Sequence, residues 1–175
     1  PIPFKLNTNI YKMSNGKLIM PGRLAKLDGF PQIPAVMISD SGKINSDWRI
    51  VKLTDKKELP DNSEFIHPEV SLILKENRIY AFCRNDQRNV PIVFLSDDFG
   101  ESWNGPFASD IPFSSSKIYS GTLSNGRNYV IGNIGANREK LCIFFSSGSD
   151  VLFDSGYVLQ NGFFKELNAG YQWSY

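Results

Sequence analysis

One pattern occurs three times along these 175 residues. Met13-Ser14-Asn15-Gly16-Lys17-Leu18-Ile19-Met20-Pro21-Gly22-Arg23 reads as an apolar run, a tight turn and a second apolar run. Leu123-Ser124-Asn125-Gly126-Arg127-Asn128-Tyr129-Val130-Ile131-Gly132-Asn133 repeats it almost position for position, and Leu74-Lys75-Glu76-Asn77-Arg78-Ile79-Tyr80-Ala81-Phe82-Cys83-Arg84 is a third copy with Glu-Asn at the turn. Asn-Gly marks a hairpin because both turn residues must take positive φ. After each hairpin comes another apolar strand that ends in a serine-led turn, at Ser39, Ser96 and Ser146. A fourth strand is expected at Trp48 to Leu53 in the first unit, somewhere within Phe107 to Phe113 in the second, and at Gly156 to Leu159 in the third.

Four short strands in a unit of roughly 50 residues, repeated in one order, predict an all-β chain of antiparallel propeller blades. A β-sandwich also uses short strands, but it does not require hairpin and turn signals to recur in the same sequence. The units run roughly 7–54, 64–113 and 117–160, with the start of a further blade at 168–175. Three blades do not close a ring, since propellers have about four to eight. The remainder is expected from further sequence or from a second chain.

Composition narrows the classes of partner. The formal net charge is +1, so no global field draws the chain to nucleic acid or to an anionic membrane. The longest apolar runs fall far short of the ~20 residues of a membrane-crossing helix. The chain opens at Pro1 and is read as a mature or partial form, with export left open. Cys83 and Cys142 sit in strand-like runs and are expected to be buried thiols; a disulfide would need their strands to be adjacent. With one histidine in the chain, no His/Cys cluster has zinc-like spacing, and no cofactor is expected.

The turn in the second unit is the most specific motif. Ser96-Asp97-Asp98-Phe99-Gly100-Glu101-Ser102-Trp103 follows Val90-Pro91-Ile92-Val93-Phe94-Leu95. Asp can bond the turn's own backbone, Gly takes the positive-φ position, and Trp returns over the turn. This S-x-D-x-G-x-x-W spacing resembles the Asp box, the BNR repeat of the sialidase (neuraminidase) superfamily. That resemblance implies a six-bladed propeller, of which this chain is similar to the N-terminal half. It also implies a glycoside hydrolase acting on a terminal acidic sugar, and secretion or a periplasmic location. Asp97 and Asp98 are then structural.

Sialidase-like sites lie where inner strands converge. A hairpin beginning with Glu beside Pro and ending in Arg resembles His67-Pro68-Glu69-Val70 and Phe82-Cys83-Arg84-Asn85-Asp86. Both hairpin ends lie at one sheet edge, so Glu69 and Arg84 are expected to meet, the carboxylate holding a guanidinium fork ready for a ligand carboxylate. Arg23 and Asn133 occupy the position of Arg84 in units one and three, and Arg138 follows close by. These residues form the expected substrate-binding rim, with His67, Tyr119 and Tyr175 as further contacts. Glu69 and Asp86 are the candidate catalytic carboxylates, with Asp28 a second candidate acid. Truncating Arg84 is expected to abolish acidic-sugar binding without unfolding the chain. Gln32-Ile33-Pro34 departs from the Arg-Ile-Pro motif of sialidases. That departure keeps two other readings open: a related propeller glycosidase or lyase, and a propeller that binds carbohydrate or a partner without catalysis.

Overall fold

A computed structural model describes residues 3–25, 32–55, 59, 64–148, 151–164 and 169–170, and the regular elements among them are all strands. Sheet one contains β1 (Phe4–Leu6), β2 (Tyr11–Lys12), β3 (Leu18–Leu24), β4 (Ile33–Ser39) and β5 (Arg49–Lys52). Sheet two contains β6 (Val70–Lys75), β7 (Arg78–Cys83), β8 (Ile92–Ser96) and β9 (Asn104–Ala108). Sheet three contains β10 (Tyr119–Thr122), β11 (Asn128–Ile134), β12 (Lys140–Ser146) and β13 (Phe153–Asn161). A short pair, β14 (Phe163–Phe164) with β15 (Ala169–Gly170), follows. Strands pair antiparallel in chain order within each sheet. In sheet one, β1 and β2 both pair with β3 and share the innermost position, so this sheet begins at Phe4, ahead of the sequence boundary at residue 7.

Alternation of side chains explains how the sheets stack. Successive residues of a strand face opposite sides. In sheet two, Leu72, Ile79, Ala81 and Phe94 join Ile19, Val36 and Ile38 of sheet one in one core. Their neighbours Ile73 and Phe82 join Val130 and Cys142 of sheet three in a second core. Sheet two is therefore covered on both faces, which is why its strands read as unbroken apolar runs. Complete burial of Phe82 or Phe94 contributes about 1.5–3 kcal/mol each.

Buried polar bonds pin neighbouring inner strands at a set height. Val70 N donates to Asn7 Oδ1 at 2.9 Å. Ser120 N and Ser120 Oγ both reach Ser71 Oγ at 2.9 Å.

The fourth strand of sheet two lies earlier than the sequence suggested. It starts at Asn104, directly after Trp103, and Pro106 is tolerated because this strand is an edge. Ile111 and Phe113 instead leave the sheet and plug the core shared with sheet three.

The three serine-led turns share a buried hydroxyl but bond it differently: Ser39 Oγ donates to Lys43 O at 2.9 Å and Ser146 Oγ to Gly148 O at 2.8 Å. Ser39, Ser96 and Ser146 are fully buried. Ser96 Oγ accepts Gly100 N at 2.8 Å and donates to Asp98 Oδ1 at 2.8 Å. Ser102 N donates to the same carboxylate oxygen at 2.9 Å, and Trp103 Nε1 donates to Gly100 O at 3.0 Å. Burial alone would raise the Asp98 carboxyl, but the bonds from Ser102 and Ser96 outweigh it and hold the group below its usual range. Asp98 thus closes a turn at the opposite end of β8 from Ile92 and takes no part in the cluster described next.

Candidate functional site

The ladder between β6 and β7 extends one step past Val70 and Cys83, with Arg84 N donating to Glu69 O at 2.9 Å. Facing residues of an antiparallel pair point to the same side. Arg84 Nη1 accordingly donates to Glu69 Oε2 at 3.1 Å. From the neighbouring sheet, Arg23 on β3 brings Nη1 to 3.9 Å from Glu69 Oε1. Arg84 Nη2 contacts Asp86 Oδ1 at 2.8 Å and Ser115 Oγ at 3.4 Å. Ser115 Oγ donates to Asp86 Oδ1 at 3.1 Å, and Arg138 Nη2 donates to Ser115 O at 2.9 Å. All three sheets therefore contribute to one cluster.

His67 stands at its edge. Its carbonyl accepts Glu69 N at 2.7 Å, and its own N–H donates to Asp86 Oδ2 at 2.7 Å. The ring Nδ1 lies 3.4 Å from Asp86 Oδ1. The imidazole is 48% exposed, whereas the side chains of Arg23, Glu69, Arg84 and Asp86 are 13, 12, 12 and 8% exposed. An accessible imidazole thus borders a nearly closed set of charges.

Two guanidiniums, Arg23 and Arg84, face two carboxylates, Glu69 and Asp86, and Arg138 joins them through the Ser115 carbonyl. These five side chains sum to one positive charge, which favours an anion. Arg23 Nε and Nη1, and Arg84 Nε, are buried without a hydrogen-bond acceptor among the described residues. A buried donor left unmet costs about 1–3 kcal/mol, more when it is charged. An oxygen of a bound acid would relieve that cost. The buried Cys83 thiol beneath the cluster is pushed well above its usual range by burial, with Asp86 and Glu69 adding to the shift, so it is a poor nucleophile. Both cysteines are free and buried. Among the described residues no group of three or more His, Cys, Asp or Glu side chains is placed to hold a metal.

Arg23, His67, Glu69, Arg84, Asp86 and Arg138 are brought together. Asn133 reaches the same end of its sheet but is fully buried, donating through Nδ2 to Ser116 Oγ at 3.4 Å. It braces the serine loop from inside and presents no open face to a ligand. Tyr119 lies on the inner strand, where its hydroxyl accepts from Asn9 Nδ2 at 2.8 Å and its ring packs 6.3 Å from Tyr129. Asp28 and Tyr175 lie outside the described residues. Ser115 was missed by the sequence reading. The run Ser114-Ser115-Ser116 ahead of β10 is its only trace, because serine runs usually mark plain loops. The expectation that Arg84 is dispensable for folding also changes, since two nearly buried carboxylates depend on it.

Stacked antiparallel sheets, an Asp-box turn and a cationic cluster at one end of the strands define part of a sialidase-type propeller. The chain matches the model of the BNR repeat-like domain over residues 5–175 and belongs to that family. No curated protein matches it in sequence. Among solved structures it is similar to the NanB sialidase of Streptococcus pneumoniae in its K499G form, at 16% identity and TM-score 0.62, covering 86% of this chain and 23% of that one. A leech intramolecular trans-sialidase, complexed with 2,7-anhydro-Neu5Ac, gives 12% identity, TM-score 0.61 and coverage of 92% and 25%. A Dyadobacter fermentans protein of unknown function gives 13% identity, TM-score 0.68 and coverage of 91% and 43%. The chain thus spans about a quarter of the two sialidases, and at these identities the likeness establishes the fold alone.

Proposed function

We propose that the Arg23–Glu69–Arg84 cluster binds the carboxylate of a terminal acidic sugar, and that the chain forms part of a glycoside hydrolase of sialidase type whose ring is completed by further blades. The observation that carries this reading is the pair of buried Arg23 donors without an acceptor among the described residues, beside a guanidinium already fixed by Glu69 and Asp86. A carboxylate entering there meets preset charged donors, and a neutral sugar does not. Glu69 keeps the two guanidiniums apart and oriented. Asp86 already receives bonds from His67, Ser115 and Arg84 and orders the cluster's outer edge. In glycoside cleavage the arginines would hold the anionic group while a neighbouring residue protonates the departing oxygen.

Gln32 precedes Ile33-Pro34 at the start of β4, and its Oε1 is buried without a partner among the described residues. A neutral group there, where sialidases carry arginine, favours a wider class of carboxylate-bearing sugars, uronic acids included, over sialic acid alone. Titration calorimetry with N-acetylneuraminic acid, glucuronic acid and the neutral N-acetylmannosamine tests the proposal. Acidic sugars should bind, and Arg23→Met should weaken them roughly 10- to 100-fold, the worth of about one charged hydrogen bond. Equal binding of the neutral sugar, or an unaffected Arg23→Met, refutes it.

A further inference from the structure

We infer that His67, oriented by Asp86, is the proton-transfer residue of this site, with Nε2 as the atom that exchanges the proton. The inference rests on the sugar-binding reading above. Asp86 holds His67 twice, through the backbone N–H at 2.7 Å and opposite ring Nδ1 at 3.4 Å. A carboxylate only accepts, so Nδ1 carries the hydrogen in this pair and neutral Nε2 is left bare. Pro68 holds His67 extended, which limits backbone freedom beneath the ring. No hydrogen bond from the described residues reaches Nε2, and the ring is about half exposed beside the guanidiniums that would fix the sugar. The ring contact is long for a hydrogen bond, as is common in sites without ligand, where such bonds tighten on binding.

Asp86 is itself ordered by Arg84 and by Ser115 from sheet three, so the orientation of His67 is tied to the cluster that binds the acid. In the reaction, protonated His67 gives the Nε2 proton to the aglycone oxygen as the bond from that oxygen to the anomeric carbon breaks. The oxygen keeps the bonding electron pair and leaves as an alcohol. A water then gives its oxygen to the anomeric carbon and a proton back to Nε2, which restores the imidazolium. His67 is thereby the proton-transfer residue, and Asp86 a positioning residue that acts through it.

The chain contains one histidine, so ¹⁵N-histidine labelling yields a single imidazole spin system whose nitrogen shifts report the tautomer. The neutral ring should show a protonated Nδ1 and a bare Nε2. Asp86→Asn should move the population toward the Nε2–H form usual for free histidine. Adding N-acetylneuraminic acid should move the Nε2 resonance more than the Nδ1 resonance. A native ring that is protonated at Nε2 overturns the assignment, even if Asp86→Asn fails to fold. A sugar that perturbs the arginine side-chain resonances but leaves Nε2 unmoved overturns it while sparing the binding site. A sugar that perturbs neither overturns both. In hydrolysis, His67→Gln should slow release of an alkyl aglycone by roughly 10²- to 10⁴-fold. A nitrophenyl aglycone, which leaves without protonation, should slow by about tenfold or less. Equal losses on the two would show that His67 does not supply the proton.

Discussion

Replacing Arg84 by Met is the sharpest probe of how the cluster is held. Methionine keeps an apolar stem of similar reach and removes only the charged fork. That fork lies 3.1 Å from Glu69 Oε2, 2.8 Å from Asp86 Oδ1 and 3.4 Å from Ser115 Oγ. Without it, two nearly buried carboxylates lose their shared cation. Breaking a buried pair from one side costs about 3–5 kcal/mol, mostly because the stranded charge has no partner. Arg23 remains 3.9 Å from Glu69 and softens that half of the loss, so the lower end, about 3 kcal/mol, applies. Each kcal/mol moves the melting midpoint about 2–4 °C in a chain of this size, so the fall should be roughly 6–12 °C. Thermal denaturation followed by circular dichroism measures it. Adding Glu69→Gln and Asp86→Asn to Arg84→Met removes the stranded charges and should recover more than half of the deficit, a coupling that a mutant cycle isolates. A single mutant that melts within about 2 °C of the parent, or a triple mutant with no recovery, would show that these charges are solvated and that the cluster is not a preset site.

Three further outcomes follow from the turns and the core. Asp98 is held below its ordinary value in the fold, so its stabilisation is complete above the unfolded carboxyl's midpoint and is lost as the pH falls below it. The urea midpoints of the parent and of Asp98→Asn should therefore differ at neutral pH and converge in acid; parallel curves would refute the turn's role. Gly100 has φ +84° and an added Cβ would sit 3.0 Å from Ile19 Cδ1, whereas Gly16 has φ +86° and open space around it. Gly16→Ala should cost about 1–2 kcal/mol from backbone handedness alone; Gly100→Ala should cost more, and equal losses would mean that Ile19 yields freely. The Cys83 thiol should resist Ellman's reagent in the native chain and react on unfolding, so fast native labelling would contradict its burial.

The repeat was legible because each sheet turns at a short polar pair and ends its next strand in a buried serine. Asn15-Gly16 and Asn125-Gly126 turn where hairpins must turn, though only the glycine of each pair takes positive φ, and Ser39, Ser96 and Ser146 each bury a hydroxyl in the next turn. The meeting of Glu69 and Arg84 was equally readable, since it needs only a hairpin in register. What spans the sheets was not. Ser115 touches Arg84 and Asp86 across the boundary between sheets two and three, and no spacing within either unit encodes that contact. The fourth strand of sheet two was placed late because Ile111 and Phe113 look like strand residues. Their burial comes from plugging a gap between blades, a tertiary demand that alternation does not reveal.

Equivalent backbone positions have come to different chemistry here, and the seams between sheets explain why. Arg23 on β3, Arg84 just past β7 and Asn133 on β11 each follow their hairpin turn by the same number of residues. Arg84 meets the carboxylate of its own hairpin, and Arg23 reaches the same carboxylate from the sheet before it. Asn133 is sealed beneath its serine loop. The repeat thus supplies directions, while each seam supplies the partner that decides whether a side chain stays open, becomes paired or is buried. The same stacking that places Phe82 and Phe94 in separate cores places Arg23 against Glu69 across sheets one and two, and Ser115 against Asp86 across sheets two and three. A substitution that shifts one sheet by a fraction of an ångström should therefore disturb the cluster before it unfolds the cores, because hydrogen bonds tolerate less displacement than apolar contacts do.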